Sequence, residues 1–102
     1  PGKWSSYPPH HHPQPEVYFY RFDYPDGFGA GFANGEIYKT THNGLSIINH
    51  GFHSQVAAPG YALCYAWGIR HLDGDPWIKT RIDDPEHAWL WKPDANDHIF
   101  KG

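Results

Sequence analysis

The sequence predicts an all-β domain, two packed antiparallel sheets curled into a barrel, and three observations predict it. Aromatic residues make up 18% of the chain, and aromatic and β-branched side chains gather in short runs that suit a pleated surface. Eleven Gly and ten Pro fall between those runs, so turn signals recur about every eight to twelve residues, as in sandwiches and barrels. No stretch of ten residues repeats its apolar positions with a helical period. A chain of 102 residues makes one domain, and neither a linker nor an internal repeat divides it.

The elements follow in order. Residues 1–15 form a Pro- and His-rich lead-in, whose prolines at 8, 9, 13 and 15 enforce extended or turn geometry. EVYFYRFDY (16–24) reads as a buried strand. PDGFGAGFANG (25–35) reads as a turn-rich connection opened by Pro25-Asp26-Gly27. EIYKTTH (36–42) is a second strand, and Asn43-Gly44 is a hairpin signal joining it to a third, LSIIN (45–49). HGFHSQVAA (50–58) is a short turn and a strand, Pro59-Gly60 a further turn, and YALCYAWGIR (61–70) a long strand. Residues 71–87 carry little regular structure apart from a possible strand at WIKTRI (77–82). HAWLW (87–91) reads as an edge strand, and the polar residues 92–102 as a loose tail.

Charge excludes several functions. A net charge of −3 with scattered Lys and Arg gives no basic face for a nucleic acid. No apolar run reaches membrane-spanning length, and no signal peptide is visible. A single cysteine, Cys64, permits no internal disulfide and fits a cytoplasmic location. The chain starts at Pro1 rather than Met, which leaves open a segment ahead of it.

Nine histidines are the unusual number, because histidine is the commonest metal ligand and the common proton shuttle near neutral pH. His10 and His12 are two apart, so in extended chain both imidazoles point to one face. Glu16 follows after a turn at Pro13-Gln14-Pro15, and a barrel would bring His53, just after Gly51, beside them. Three imidazoles and a carboxylate suit one divalent transition-metal ion, zinc first, with Mn, Fe, Co or Ni also accepted. Spacing alone leaves open that His10 and His12 are exposed loop residues and that Glu16 is a solvated strand opener.

The order H-x-H, then Glu, then Gly-x-His resembles the metal-ligand pattern of cupins. PGKWSSYPPHHHPQPEVYFYRF is similar to the metal-site segment of the uronate isomerase family, which includes 5-deoxy-glucuronate isomerase of inositol catabolism and 5-keto-4-deoxyuronate isomerase of pectin catabolism. WSSYPPHHH, PDGFG, GFHSQVAAPGYALCYAWG and DDPEHAW resemble the first of these more closely, and the resemblance runs from about residue 1 to residue 91. It implies a cupin-type jelly-roll barrel with His10, His12, Glu16 and His53 as metal ligands and His11 pointing away. Members usually have two cupin halves, and this chain matches the metal-bearing C-terminal one. The implied activity is aldose–ketose isomerisation of a small sugar acid, with the metal as Lewis acid. Three other readings stay open: a sugar-acid-binding module without turnover, a metal-dependent cupin oxygenase, and a structural remnant that holds no metal.

Candidates for the proton-transferring group are Glu16, Tyr18, Tyr20 and His50. Tyr18 and Tyr20 share the parity of Glu16 and should face inward, where they either meet a sugar hydroxyl or simply pack the core, whereas Arg21 should face out. Lys39, Gln55 and Tyr65 are the candidate substrate contacts, Lys39 for a carboxylate, Gln55 as a neighbour of His53, and Tyr65 with Trp67 on one face of the long strand. His42, His71, His87 and His98 should lie at the surface, and Cys64 should be a buried inert thiol. GFGAGFANG lacks the helix and Lys-Ser/Thr of a phosphate loop. Exposed edge strands of a lone barrel would invite self-association into a homo-oligomer.

Overall fold

The computed structural model describes residues 3–99, and they form eight strands and two short 3-10 helices. The strands are β1 (His10–His11), β2 (Glu16–Phe22), β3 (Phe28–Ala33), β4 (Glu36–Thr41), β5 (Leu45–Ile48), β6 (His53–Ala57), β7 (Leu63–Ile69) and β8 (Ile82–Asp83). They build two antiparallel sheets, one in the order β4-β3-β6-β1-β8 and the other β5-β2-β7.

β2 shows why the sheets pack. Its residues alternate buried and exposed along the whole strand, with Glu16, Tyr18, Tyr20 and Phe22 inward and Val17, Phe19 and Arg21 outward. The period of two matches the pleat, so one face is committed to the interior. Tyr20 is only 1% exposed, and its hydroxyl crosses to the opposite sheet to donate to Gln55 Oε1 on β6 at 2.9 Å. Tyr18, Tyr20, Phe22 and Ile48 are the buried apolar core, with Leu63 and Tyr65 packed against it. Among the described residues nine other buried ones are polar or charged, more than twice the number of buried large apolar side chains. Burying that much polarity is costly without partners, so this interior is arranged for binding as well as for packing.

The all-β class and the two packed sheets are as expected, but the barrel is not closed. Among the described residues no strand of one sheet pairs with a strand of the other, and β1 and β8, at two residues each, are too short to continue a ladder. The Asn43-Gly44 turn explains part of this. It does not make a hairpin, because β5 pairs with β2 and not with β4. Asn43 N donates to Tyr20 O at 2.8 Å and Tyr20 N to Gly44 O at 2.9 Å, so the turn is drawn onto β2 and becomes a corner between sheets. Only Asn43 takes a positive φ there (64°), not the pair that a tight two-residue hairpin requires.

The tight hairpin lies instead at Asn34-Gly35, where φ is 51° and 80°, between β3 and β4. Residues 28–33 are therefore a strand and not part of a connection. Their glycines are needed by close approach: a Cβ on Gly29 would press into the Val56 carbonyl oxygen, and one on Gly31 into the Tyr38 ring. HAWLW is also corrected, since Ala88–Trp91 form a 3-10 helix with Trp89 and Trp91 exposed. Pro93–His98 form a second one where a loose tail was expected, started by a proline already fixed in a helical φ. Residues 100–102 lie outside the described part. Of WIKTRI only Ile82 enters a strand, where β8 pairs with β1. Cys64 is exposed, because β7 turns that face away from the other sheet.

Candidate metal centre

Three strands bring the expected ligands together. His10 on β1 lies directly opposite His53 on β6, with ring centroids 4.5 Å apart. His12 follows His10 on the same face, and the ring of His11 turns away to pack edge-on against Phe52. Glu16 opens β2 after the Pro13-Gln14-Pro15 turn. Its carboxylate places Oε2 3.4 Å from His12 Nε2 and Oε1 2.6 Å from His53 Nε2. The four side chains are buried, between 2% and 8% exposed.

The protonation of the three rings follows from their partners. His10 Nδ1 donates to Pro8 O at 2.8 Å, His12 Nδ1 to Gln14 O at 2.9 Å and His53 Nδ1 to Gly51 O at 3.2 Å. A carbonyl oxygen can only accept, so each ring carries a proton on Nδ1 and turns its Nε2 toward the cluster. Burial favours the neutral form of two of them: it holds His10 down to about 4 against the pull of its Pro8 hydrogen bond, and lowers His12 as well. The three histidines offer nitrogens within 4.8 Å of one another.

Glu16 is the charge in this cluster. Burial works against its ionisation, but the neighbouring His53 and the hydrogen bonds donated by Trp67 Nε1 and Tyr18 Oη (2.8 Å) outweigh it and hold the carboxyl below its ordinary range. His53 Nε2 nevertheless has no aligned hydrogen-bond partner although Oε1 is so near. At that distance the nitrogen and the carboxylate oxygen need positive charge between them, either a proton or a metal ion. The three histidines could hold a metal ion, and imidazoles beside a carboxylate are a donor set that transition metals accept. The Nδ1–carbonyl bonds are the outer contacts that ordinarily fix metal-bound histidines.

His10, His12 and Glu16 of this cluster form one wall of a cavity of about 420 Å³, within the range of small-molecule sites. Of the remaining expected residues, Tyr18, Gln55 and Tyr65 line it. Gln55 is held from behind, accepting from Tyr20 Oη and donating to Tyr38 Oη at 3.3 Å. Tyr20 itself lies beneath the cavity, and with its one proton given to Gln55 its hydroxyl oxygen accepts from Ser46 Oγ at 2.8 Å. Burial raises both Tyr18 and Tyr20 far above the ordinary tyrosine range, so neither hydroxyl gives up its proton to become a base near neutral pH.

Two expected residues are not at the site. His50 is exposed and its Nε2 lies 2.8 Å from Asn34 Nδ2, because the left-handed turn at Gly51 (φ 81°) separates its direction from that of His53. Lys39 is exposed on the edge strand β4, its Nζ 5.1 Å above the Phe28 ring, with the opposite parity to buried Thr40. The cavity cations are Lys79 and Arg81, and Trp77 lines it too. Residues 78 and 79 form a bend, with Lys79 at φ 65°, so no strand alternation in the sequence points to these two cations.

A profile of the KduI/IolB family matches residues 1–90. The chain belongs to the KduI/IolB family. It is thus a cupin of the 5-deoxy-glucuronate isomerase-like type, from a family of isomerases. No curated protein and no solved structure matches the chain significantly. The match covers every strand from β1 to β8 and all four clustered residues. No helix among the described residues is long and apolar enough to cross a membrane.

Proposed function

We propose that this KduI/IolB chain is a metal-dependent sugar-acid isomerase that interconverts aldose and ketose, most like 5-deoxy-glucuronate isomerase. The observation that carries the reading is the clustering of three imidazoles and the Glu16 carboxylate, of which His10, His12 and Glu16 line a cavity that also presents hydroxyl and amide groups. His10, His12, His53 and Glu16 would hold the ion, zinc being the first to try. When bound, the ion supplies Lewis acidity to the oxygens on the two carbons between which hydrogen moves.

The protein groups divide the remaining work. Glu16 is the ionised group at the cavity wall, and it would take the proton from one carbon and return it to the next only where its hold on the ion is loose. Tyr18 donates to Glu16 and steadies the negative charge when it is present. Gln55 and Tyr65 orient the substrate hydroxyls, Gln55 being pre-aligned by Tyr20 and Tyr38. Trp67 and Trp77, edge to face at 4.7 Å, wall the cavity with apolar surface that excludes water.

The test is solvent exchange. Protein loaded with zinc or manganese, incubated with 5-deoxy-glucuronate in heavy water and followed by NMR, should put deuterium at the carbon beside the carbonyl and accumulate the ketose, with no uptake of oxygen. Complete retention of hydrogen with both metals would sink the isomerase reading.

A further inference from the structure

We infer that Arg81 is the carboxylate anchor of this site and makes the chain selective for acid over neutral sugars. The inference rests on the sugar-isomerase reading for the identity of the ligand, and on separate observations for the residue.

Arg81 is held in place, yet part of it is uncommitted. Its Nε donates to Asp83 Oδ1 at 3.1 Å, and its guanidinium carbon sits 4.2 Å from the centre of the Tyr7 ring and 4.9 Å from that of Trp91. A planar cation over two aromatic faces is fixed in orientation without losing its hydrogen-bonding edge. The two terminal nitrogens make no hydrogen bond to any described residue. They belong to a residue that lines the same cavity as His10, His12 and Glu16.

The backbone explains the placement. β8 pairs with β1 so that Asp83 lies opposite His10, and Arg81, two residues earlier, shares the parity of Asp83. Tyr7 bridges the two regions, stacking under Arg81 and meeting His10 edge-on at 5.5 Å. The metal cluster and the guanidinium are thus tied to one edge of the five-stranded sheet. Lys79 adds a second cation to the same wall, with φ of 65°, a left-handed conformation that residues with a side chain seldom adopt and that often accompanies a functional constraint. Glu16 is committed to the histidines, Tyr18 and Trp67, and Asp83 pairs with Arg81 through Nε alone, so the terminal nitrogens of Arg81 and the ammonium of Lys79 are left to meet an anion. A small molecule bearing a carboxylate at one end and carbonyl and hydroxyl oxygens at the other complements both walls, and a guanidinium fork meets a carboxylate with two parallel hydrogen bonds. A neutral sugar complements one wall only.

The experiment is calorimetry on the zinc-loaded protein with glucuronate and, separately, glucose. The wild type should bind glucuronate at least about 10-fold more tightly than glucose, the size of effect a charge-assisted pair provides. Arg81→Gln should lose that preference while keeping its metal content and its thermal unfolding, and Arg81→Lys should retain part of it. Equal affinity of the wild type for acid and neutral sugar, or no measurable binding of glucuronate, overturns the assignment whether or not the variants fold. An unchanged preference in Arg81→Gln overturns it as well. Selective binding without turnover of any sugar acid leaves the anchor standing and removes the isomerase reading instead.

Discussion

His10 and His53 face each other across the β1–β6 ladder, and β1 is only two residues long. So short a strand contributes little pairing energy, and an ion shared by β1, β2 and β6 would act as a cross-link. Chelation should therefore lower the melting temperature by about 10 °C or more, because an ion present at roughly 100 times its dissociation constant stabilises a small domain by about 3 kcal/mol. His53→Ala should fall from about one bound equivalent to nearly none by plasma mass spectrometry, and chelator should no longer move its melting temperature.

Acid should destabilise the metal-free protein. Folded His10 is held down to about 4 from 6.5, so between those values the unfolded chain binds a proton that the folded one refuses. Its contribution is full above pH 6.5, declines as the pH falls and is gone near pH 4; it amounts to about 3 kcal/mol. His12 and Glu16, both lowered, act in the same direction. Urea midpoints of chelated protein at pH 7 and pH 4.5 measure this, and an unchanged midpoint would mean that His10 is not buried as a neutral ring.

Tyr18→Phe removes the 2.8 Å hydrogen bond to Glu16 but keeps the ring that packs on Tyr20 and Tyr65. Metal affinity should fall by roughly 10-fold with the fold intact, since outer hydrogen bonds tune ligand basicity and orientation. Competition with a fluorescent chelator reads the affinity, and circular dichroism reads the fold.

Gly29→Ala should cost about 2 kcal/mol or more, because the new methyl must displace the Val56 carbonyl from the β3–β6 ladder. A denaturation midpoint indistinguishable from wild type would show that β3 can shift freely.

Cys64, exposed on the outer side of β7, should react with an aromatic disulfide reagent in the native protein at a rate close to that of a free thiol, and with no loss of bound metal. Protection until unfolding would place it in the interior.

Parity carried most of what could be read directly. The inward set Glu16, Tyr18, Tyr20 and Phe22 and the shared face of His10 and His12 follow from the two-residue period of extended chain. β3 was hidden because FGAGFA looks like a loop by composition, whereas its glycines answer to Val56 and Tyr38, which are distant in sequence. Asn43-Gly44 misled for the converse reason: its local preference is for a hairpin, and the backbone of Tyr20 took its hydrogen bonds instead. Trp89 and Trp91 carry β propensity, yet no strand edge is offered to them and the segment coils into a 3-10 turn.

By itself the sequence determined the all-β class, the identity of the four clustered residues and the family, because spacing, parity and residue chemistry are local properties that survive without coordinates. Tertiary structure decided what depends on partners far along the chain. It set the proton on each Nδ1 through a backbone carbonyl, and it brought Glu16 within 2.6 Å of His53. It also sent Lys39 to the surface while the β1–β8 pairing brought Arg81 to the cavity. Which cation faces the metal cluster is settled by strand pairing, and a pairing belongs to two segments at once, so neither segment's sequence states it alone.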